Sequence, residues 1–204
     1  MSLMRLIFSL AAAVCVLIAA GQPAEAARRL VSFNLNYPMG AIVIINSERK
    51  LYYVLGNGRA IQYPVSIGNQ EEIWTGMEVV TEKKENPKWT DPENPDNVVQ
   101  GGPHNPLGVR AIYLGWTLWR IHGTPQSWSI GRAVSNGCIR MYNKDVVDLY
   151  DRVHVGAPVY VIKSRYQPKP TAHGGAKLNP APKVAKKPRR RTQGSWRRTS
   201  GRRW

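Results

Sequence analysis

The most reactive side chain of this 204-residue sequence is the thiol of Cys138, which lies in the stretch SNGCIRM at residues 135–141. A nucleophilic thiol needs access to its substrate, a nearby base, and hydrogen-bond donors for the oxyanion that forms on the attacked carbonyl. Gly137 precedes the cysteine, and its missing side chain lets backbone N–H groups point at a substrate oxygen. The stretch therefore indicates nucleophilic catalysis, with a buried structural cysteine as the alternative.

Four histidines could supply the base. His173 lies in the C-terminal tail and is excluded first, and His154 follows the predicted helix, where it could face solvent. His104 lies in the loop GGPHNPLG, whereas His122 ends the predicted strand TLWRIHG. Because a strand end followed by glycine presents its side chain to a cleft, the spacing favours His122 over His104 and leaves both open. One cysteine with scattered histidines fits no zinc pattern, so neither a metal nor a cofactor is expected.

Short apolar stretches separated by turn residues predict a mainly β domain with one or two short helices that would position these side chains. The residues GNG at 56–58 favour a hairpin turn, and the polar loop ENPKWTDPENPDN is expected to contain no regular structure. The predicted strands are AIVIIN, RKLYYVL, RAIQYPVSIG, GMEVVTEKK, VRAIYLG, TLWRIHG and HVGAPVYVIK.

One segment, NKDVVDLYDRV, has the apolar periodicity of an α-helix. Asn143 is the expected N-cap, and Asp145 lies in the first turn, where a carboxylate complements the helix dipole. The apolar residues that recur at helical spacing are Val146, Leu149, Tyr150 and Val153.

The two ends of the chain differ from its body. A positively charged start, the apolar run LIFSLAAAVCVLIAA and the sequence AEA predict a secretory signal peptide over residues 1–26, with an uncleaved membrane anchor as the alternative. Its removal takes away Cys15 and leaves Cys138 unable to form an intramolecular disulfide. We expect a short linker at residues 27–35, one catalytic domain at 36–164, and a disordered tail rich in Pro, Lys and Arg at 165–204.

Most of the formal net charge of +16 lies in the tail. Residues 167–204 contain twelve Lys and Arg and no acidic residue, whereas residues 27–166 contain sixteen basic and twelve acidic residues. Behind a signal peptide, such a tail is expected either to bind anionic envelope polymers or only to be solvated, and nucleic acid is not an expected partner.

The motifs IHGT, at residues 121–124, and SNGCIRM resemble the active-site signature of the L,D-transpeptidases with a YkuD-type catalytic domain. The stretches YPMGAIVI, GGPHNPLG and NKDVVDLYDRVHVGAPVYVI are also similar to that family, so the resemblance covers about residues 36–163. It implies a sandwich-like or barrel-like β-sheet domain.

The resemblance also implies roles for individual residues. Cys138 corresponds to the family's nucleophile and His122 to its general base and acid. The carbonyl of Gly123 would orient the histidine. The backbone N–H groups of Gly137 and Cys138 would form the oxyanion hole beside Asn136, where many members of the family have histidine.

Three further residues belong to the substrate-binding part of the implied site. Arg140 would bind a substrate carboxylate through its forked donors, with a structural salt bridge as the alternative. Ser135, in SNGCIRM, and Thr124, in IHGT, are the other two residues expected to bind substrate.

The implied activity is that of an exported periplasmic enzyme acting on peptidoglycan stem peptides. Cys138 would attack the L-centre carbonyl of the third residue of a tetrapeptide, a diaminopimelate, releasing D-alanine and leaving a thioester. The acceptor would be an amine of a neighbouring stem, giving a 3–3 cross-link, or of an envelope protein, which would become anchored. Two alternatives stay open: an L,D-carboxypeptidase that uses water as acceptor, and a non-catalytic envelope-binding protein acting through its basic tail.

Overall fold

The computed structural model describes residues 28–166, so the expectations for residues 1–26 and for the chain beyond residue 166 lie outside the described part. Within it, thirteen strands and one α-helix confirm the prediction of a mainly β domain, and no helix is long and apolar enough to cross a membrane. The elements are β1 (Arg29–Ser32), β2 (Ile42–Ile45), β3 (Lys50–Gly56), β4 (Arg59–Pro64), β5 (Ile67–Gly68), β6 (Gly76–Glu85), β7 (Trp89–Thr90), β8 (Val98–Val99), β9 (Arg110–Leu114), β10 (Arg120–Thr124), β11 (Ala133–Ser135), β12 (Ile139–Tyr142), α1 (Asn143–Arg152) and β13 (Pro158–Ile162).

Nine of these strands form one sheet in the order β1-β4-β3-β2-β13-β6-β9-β10-β12. Neighbours in it are antiparallel, except that β2 pairs with β13 and β10 with β12 in parallel. Strand β6 belongs to both halves of the sheet: residues 76–79 pair with β13, and residues 80–85 pair with β9. The register shifts between Val80 and Glu82, and such a bulge bends a strand. The sheet therefore divides at β6 into two halves.

The main core lies between these halves and the helix. Along β2, Ile42 and Ile44 belong to this core, whereas Val43 and Ile45 belong to a second cluster, because successive side chains point to opposite faces of a strand. Strand β13 divides its side chains between the same two clusters. The continuous apolar run AIVIIN is thus explained by burial of both faces of its strand.

Helix α1 packs against β9, β10 and β12. Its Val146 and Leu149 are fully buried, as the periodicity predicts. The predicted N-cap is wrong, because the helix begins at Asn143 itself and the side chain of this residue has other partners. Its Oδ1 accepts a hydrogen bond from the N–H of Val109 at 3.2 Å, and its Nδ2 donates to the carbonyl of Pro103 at 3.3 Å. Asn143 therefore anchors the loop before β9.

Two other expectations are wrong. The polar loop contains a short antiparallel ladder, since β7 pairs with β8 and a long loop must satisfy its backbone hydrogen-bonding groups. The predicted linker at residues 27–35 contains β1, which pairs with β4 along its whole length and packs Val31 against the second cluster. Adding this strand covers an edge of β4 that would otherwise be open.

We expect Leu149→Ala to lower the free energy of unfolding by about 2–5 kcal/mol, because it leaves a cavity between α1 and the sheet. Val155→Ala is the control, because that side chain is 57% exposed, and its effect should stay within about 0.5 kcal/mol. Urea unfolding followed by circular dichroism measures both variants. Equal losses in the two would contradict the packing described here.

Candidate active site

The parallel pairing of β10 with β12 brings the candidate nucleophile to the candidate base. His122 lies opposite Arg140 in this ladder, and Cys138 directly precedes β12. Because side chains alternate along a strand, positions 120, 122, 138 and 140 share one face. The electrostatic contacts agree, since the charges at Arg120 and Arg140 act on the pKa values of both His122 and Cys138. The opposite face carries Ile121, Ile139 and Met141 into the main core.

The backbone holds the imidazole of His122 in one tautomer. Its Nδ1 lies 2.6 Å from the carbonyl oxygen of Gly123. Since a carbonyl can only accept a hydrogen bond, Nδ1 carries the proton, and the lone pair of the neutral ring is on Nε2. This is the contact expected of Gly123, and it leaves Nε2 able to take a proton.

Burial favours the uncharged forms of the His122 imidazole and the Cys138 thiol in the resting site. His122 is 4% exposed, and desolvation lowers its pKa to about 4, opposed by its hydrogen bond to Gly123 and assisted by the charges of Arg140 and Arg120. Burial likewise raises the pKa of Cys138, although the backbone and guanidinium of Arg120 and the charge of Arg140 act in the opposite direction. Both shifts favour thiol and imidazole over thiolate and imidazolium.

The thiol remains accessible at the edge of this face. Cys138 is only half-buried. Its Sγ lies 3.8 Å from the carbonyl oxygen of Leu118, to which the thiol donates a long hydrogen bond. Leu118 belongs to the turn between β9 and β10, and its side chain is 51% exposed. Cys138 is therefore not sealed within the core.

The turn before β12 requires glycine at position 137. Ser135 Oγ donates to the carbonyl of Cys138 at 2.5 Å, and Trp74 Nε1 donates to the carbonyl of Gly137 at 2.9 Å. Gly137 has a φ of +91°, a conformation that favours glycine. A Cβ there would lie 2.7 Å from Nε1 of Trp119, which is stacked on Trp74 with ring centres 4.2 Å apart.

The same turn offers donors for an oxyanion. In the loops and turns of residues 28–166, no backbone hydrogen bond uses the N–H of Gly137 or Cys138 as its donor. Two adjacent N–H groups beside a nucleophile are a common form of oxyanion hole. Asn136 is exposed in this turn.

Two residues expected to contact substrate are occupied within the fold. Ser135 is fully buried, and its hydroxyl holds the turn described above. Thr124 is 5% exposed, and its Oγ1 accepts a hydrogen bond from the N–H of Gln126 at 3.1 Å. Both hydroxyls are buried and hydrogen-bonded within the fold, and the role of Ser135 and Thr124 in binding substrate stays a prediction.

Arg140 is half-buried and faces the site. Its Nη1 donates to Oε1 of Gln126 at 3.1 Å, and its backbone pairs with that of Ser66 through bonds of 2.9 and 3.0 Å. The salt bridges among residues 28–166 use other basic residues. The structural salt bridge considered for Arg140 is therefore not formed in that range.

Sequence reasoning missed Arg120, although a signal was available. It stands two residues before His122, so strand alternation places it on the site face. Its guanidinium carbon lies 5.0 Å from the ring centre of Tyr113, its partner across the β9–β10 ladder. It also interacts with the thiol of Cys138 through its side chain.

His122, not His104, is the histidine that the fold brings to Cys138. His104 is exposed in the loop before β9, and His154 is exposed in the connection after α1. Neither lies on β10 or β12. In the part of the chain that the structure describes, no group of three or more His, Cys, Asp and Glu side chains could hold a metal ion.

Comparison with known families places the domain. The L,D-transpeptidase catalytic domain, YkuD, matches residues 40–161. The chain belongs to this family.

Several relatives are more than a third identical to this member of the family. The probable L,D-transpeptidase ErfK/SrfK of Escherichia coli K12 is 36% identical over 135 residues, which are 59% of this chain and 43% of the relative. The probable L,D-transpeptidase YbiS of the same strain is 37% identical over 137 residues, 59% of this chain and 44% of the relative. The putative L,D-transpeptidase YqjB of Bacillus subtilis is 35% identical over 133 residues, which are 61% of this chain and 72% of the relative. The chain thus spans less than half the length of the two E. coli relatives.

Solved structures of the family share the fold. An L,D-transpeptidase from Mycobacterium smegmatis aligns with a TM-score of 0.50 and 20% identity, over 60% of this chain and 58% of that one. A mutant of the Enterococcus faecium L,D-transpeptidase aligns with a TM-score of 0.50 and 18% identity, over 60% of this chain and 49% of that one. These likenesses confirm the predicted sheet architecture.

We predict that Cys138 reacts with iodoacetamide at a rate that rises about tenfold per pH unit from about pH 6 to pH 8.5, because only the thiolate reacts and the pKa of the thiol is raised. His122 stays neutral over that range, since its pKa is lowered to about 4. Mass spectrometry of the Cys138 peptide measures the rate, and Cys138→Ala is the blank. A plateau beginning below pH 7 would instead demonstrate a thiolate–imidazolium pair.

Proposed function

We propose that the protein is an L,D-transpeptidase of peptidoglycan that works through a thioester on Cys138. The observation that carries the proposal is the shared face of β10 and β12, where an accessible thiol lies with a histidine whose Nδ1 is bound to Gly123 and whose Nε2 is the basic nitrogen. The names of the relatives, probable L,D-transpeptidases, support the same reaction.

The acylation half of the reaction begins from the neutral pair. Nε2 of His122 takes the thiol proton as Cys138 Sγ attacks the carbonyl of the third residue of a tetrapeptide stem. The oxyanion of the tetrahedral intermediate accepts hydrogen bonds from the N–H groups of Gly137 and Cys138. The imidazolium then protonates the amide nitrogen, the carbon–nitrogen bond breaks, and D-alanine leaves. A thioester and a neutral imidazole remain.

The deacylation half transfers the acyl group to an amine. His122 takes a proton from the attacking amine, the oxyanion forms again in the same place, and the carbon–sulfur bond breaks as the imidazolium returns the proton to sulfur. A diaminopimelate amine of a neighbouring stem gives a 3–3 cross-link. A lysine or N-terminus of an envelope protein gives covalent anchoring.

The cell envelope is the proposed place of action. Residues 1–26 have the pattern of a secretory signal peptide, and a peptidoglycan substrate requires export to the periplasm. The twelve basic residues of 167–204 would hold the enzyme near anionic envelope polymers through screened electrostatic attraction.

Purified protein incubated with a disaccharide-tetrapeptide donor should release D-alanine and form cross-linked dimers, measured by chromatography and mass spectrometry. Cys138→Ala should abolish both products because it removes the nucleophile, and His122→Gln should slow them by about 10²–10⁴-fold because it removes the general base. Val134→Ala is the control, since this side chain in β11 is 38% exposed and serves no proposed step.

The products distinguish the alternatives. Release of D-alanine with trimmed monomers and no dimers, with amine acceptors in excess, would identify an L,D-carboxypeptidase. Unchanged products from Cys138→Ala would contradict cysteine catalysis. No D-alanine release from the unaltered protein, combined with sacculus binding that is lost when residues 167–204 are removed, would favour the non-catalytic envelope-binding protein.

A further inference from the structure

Two guanidinium groups lie on the site face without a salt bridge to any of residues 28–166. Arg120 and Arg140 both interact with Cys138 and His122, yet the ion pairs within residues 28–166 involve neither arginine. In that range, Arg140 donates to the neutral amide of Gln126. The Nε of Arg120 is buried with no hydrogen-bond partner among the described residues.

Burying these guanidinium groups costs free energy unless an anion pairs with them. A half-buried charge loses hydration and is normally compensated by an opposite charge or by hydrogen bonds. Desolvation lowers the pKa of Arg140 from its usual value, as expected of a charge that has lost hydration. The Cys138 side chain does not neutralise the pair in the resting site, because burial raises the pKa of the thiol. The site face therefore carries a net positive charge.

A buried hydroxyl belongs to the residue that pairs with Arg140. Ser66 is 0% exposed, and its Oγ has no hydrogen-bond partner in residues 28–166. The backbone of Ser66 forms an antiparallel bridge with that of Arg140, and directly opposed residues in such a bridge point to the same face of the sheet. Two guanidinium groups and a hydroxyl are donors suited to a carboxylate.

Arg120 is held in place for such a role. It lies between Cys138, on the side of β12, and the ring of Tyr113 on β9, over which its guanidinium carbon sits at 5.0 Å. A cation over an aromatic face is attracted by the ring, and the contact limits the rotamers of the side chain. Binding an anion there requires less ordering of Arg120 than an exposed arginine would need.

We propose that Arg120, with Arg140 and Ser66, binds the terminal carboxylate of the stem peptide's leaving residue and so selects stems that end one residue after the attacked carbonyl. The inference rests on the proposed function and deepens it. Only the amide nitrogen and one α-carbon separate this carboxylate from the attacked carbonyl, so it is the substrate anion nearest to Sγ. A stem longer by one residue places a neutral amide there. The side-chain carboxylate of the third residue has the same chemistry and is the other possible source.

Binding without turnover tests the pocket. Isothermal titration calorimetry on Cys138→Ala protein would compare a free tetrapeptide stem, the same peptide with a C-terminal amide, and one with lysine replacing diaminopimelate. Amidation should weaken binding about 10- to 100-fold, because it removes a charge-assisted pair. The lysine peptide should bind within about threefold of the parent, since it retains the terminal carboxylate.

Arginine variants in the same background complete a double-mutant cycle. Arg120→Met should weaken binding of the free tetrapeptide about as much as amidation does, and should add little to the loss seen with the amide. Arg120→Lys should recover part of the affinity, because it restores the charge without the fork. Arg132→Met is the control, since Arg132 is exposed, its guanidinium packs over Trp128, and its charge is not among those that act on the pKa of Cys138 or His122.

Each contrary outcome has a defined meaning. The proposal would be overturned if amidation left the binding affinity unchanged, or if Arg120→Met weakened binding of the free and the amidated peptide equally. The first comparison uses Cys138→Ala protein that retains Arg120, so it holds even if the Arg120 variant does not fold. A loss confined to the lysine peptide would overturn the assignment to the leaving residue. If the unaltered protein released no D-alanine while binding still depended on the terminal carboxylate, the proposed function would be refuted and the carboxylate pocket would not.

Discussion

The candidate site depends on the parallel pairing of β10 with β12. That ladder sets His122 beside Arg140 and places Cys138 at the start of the second strand. A slip of one residue would turn these side chains to the opposite face. Ile121, Ile139 and Met141 prevent it, because all three are buried in the main core on that face. Packing of the core therefore fixes the register on which the chemistry depends.

Burial on the site face has two consequences that act together. It disfavours charge on the thiol and the imidazole, so proton transfer from Cys138 to Nε2 of His122 belongs to the reaction and not to the resting enzyme. It also leaves two guanidinium groups without a carboxylate from residues 28–166. A substrate that brings a carboxylate to this face neutralises the arginines and excludes water, which strengthens the hydrogen bonds to the developing oxyanion.

Local patterns predicted most of the elements, whereas spacing alone left His122 and His104 both open as the base, and the resemblance of the motifs singled out His122. The apolar runs located most strands, the helical periodicity located α1, and the paired motifs located Cys138 and His122. What the patterns lacked was the identity of distant partners. Ser66 meets Arg140 across 74 positions of sequence. Asn143 was expected to cap its helix from its local position alone, whereas its side chain binds a loop from elsewhere in the chain. Arg120 was overlooked although alternation from His122 places it on the site face.

The thioester on Cys138 is the central claim of this account, and trapping it is the most direct test. The purified protein would be mixed with a tetrapeptide donor for seconds, without an acceptor amine, quenched in acid and analysed by intact-protein and peptide mass spectrometry. The account predicts an added mass equal to the donor less D-alanine, located on the Cys138 peptide and removed by hydroxylamine. D-Alanine release with no such adduct on Cys138, or with the adduct on another residue, would contradict it.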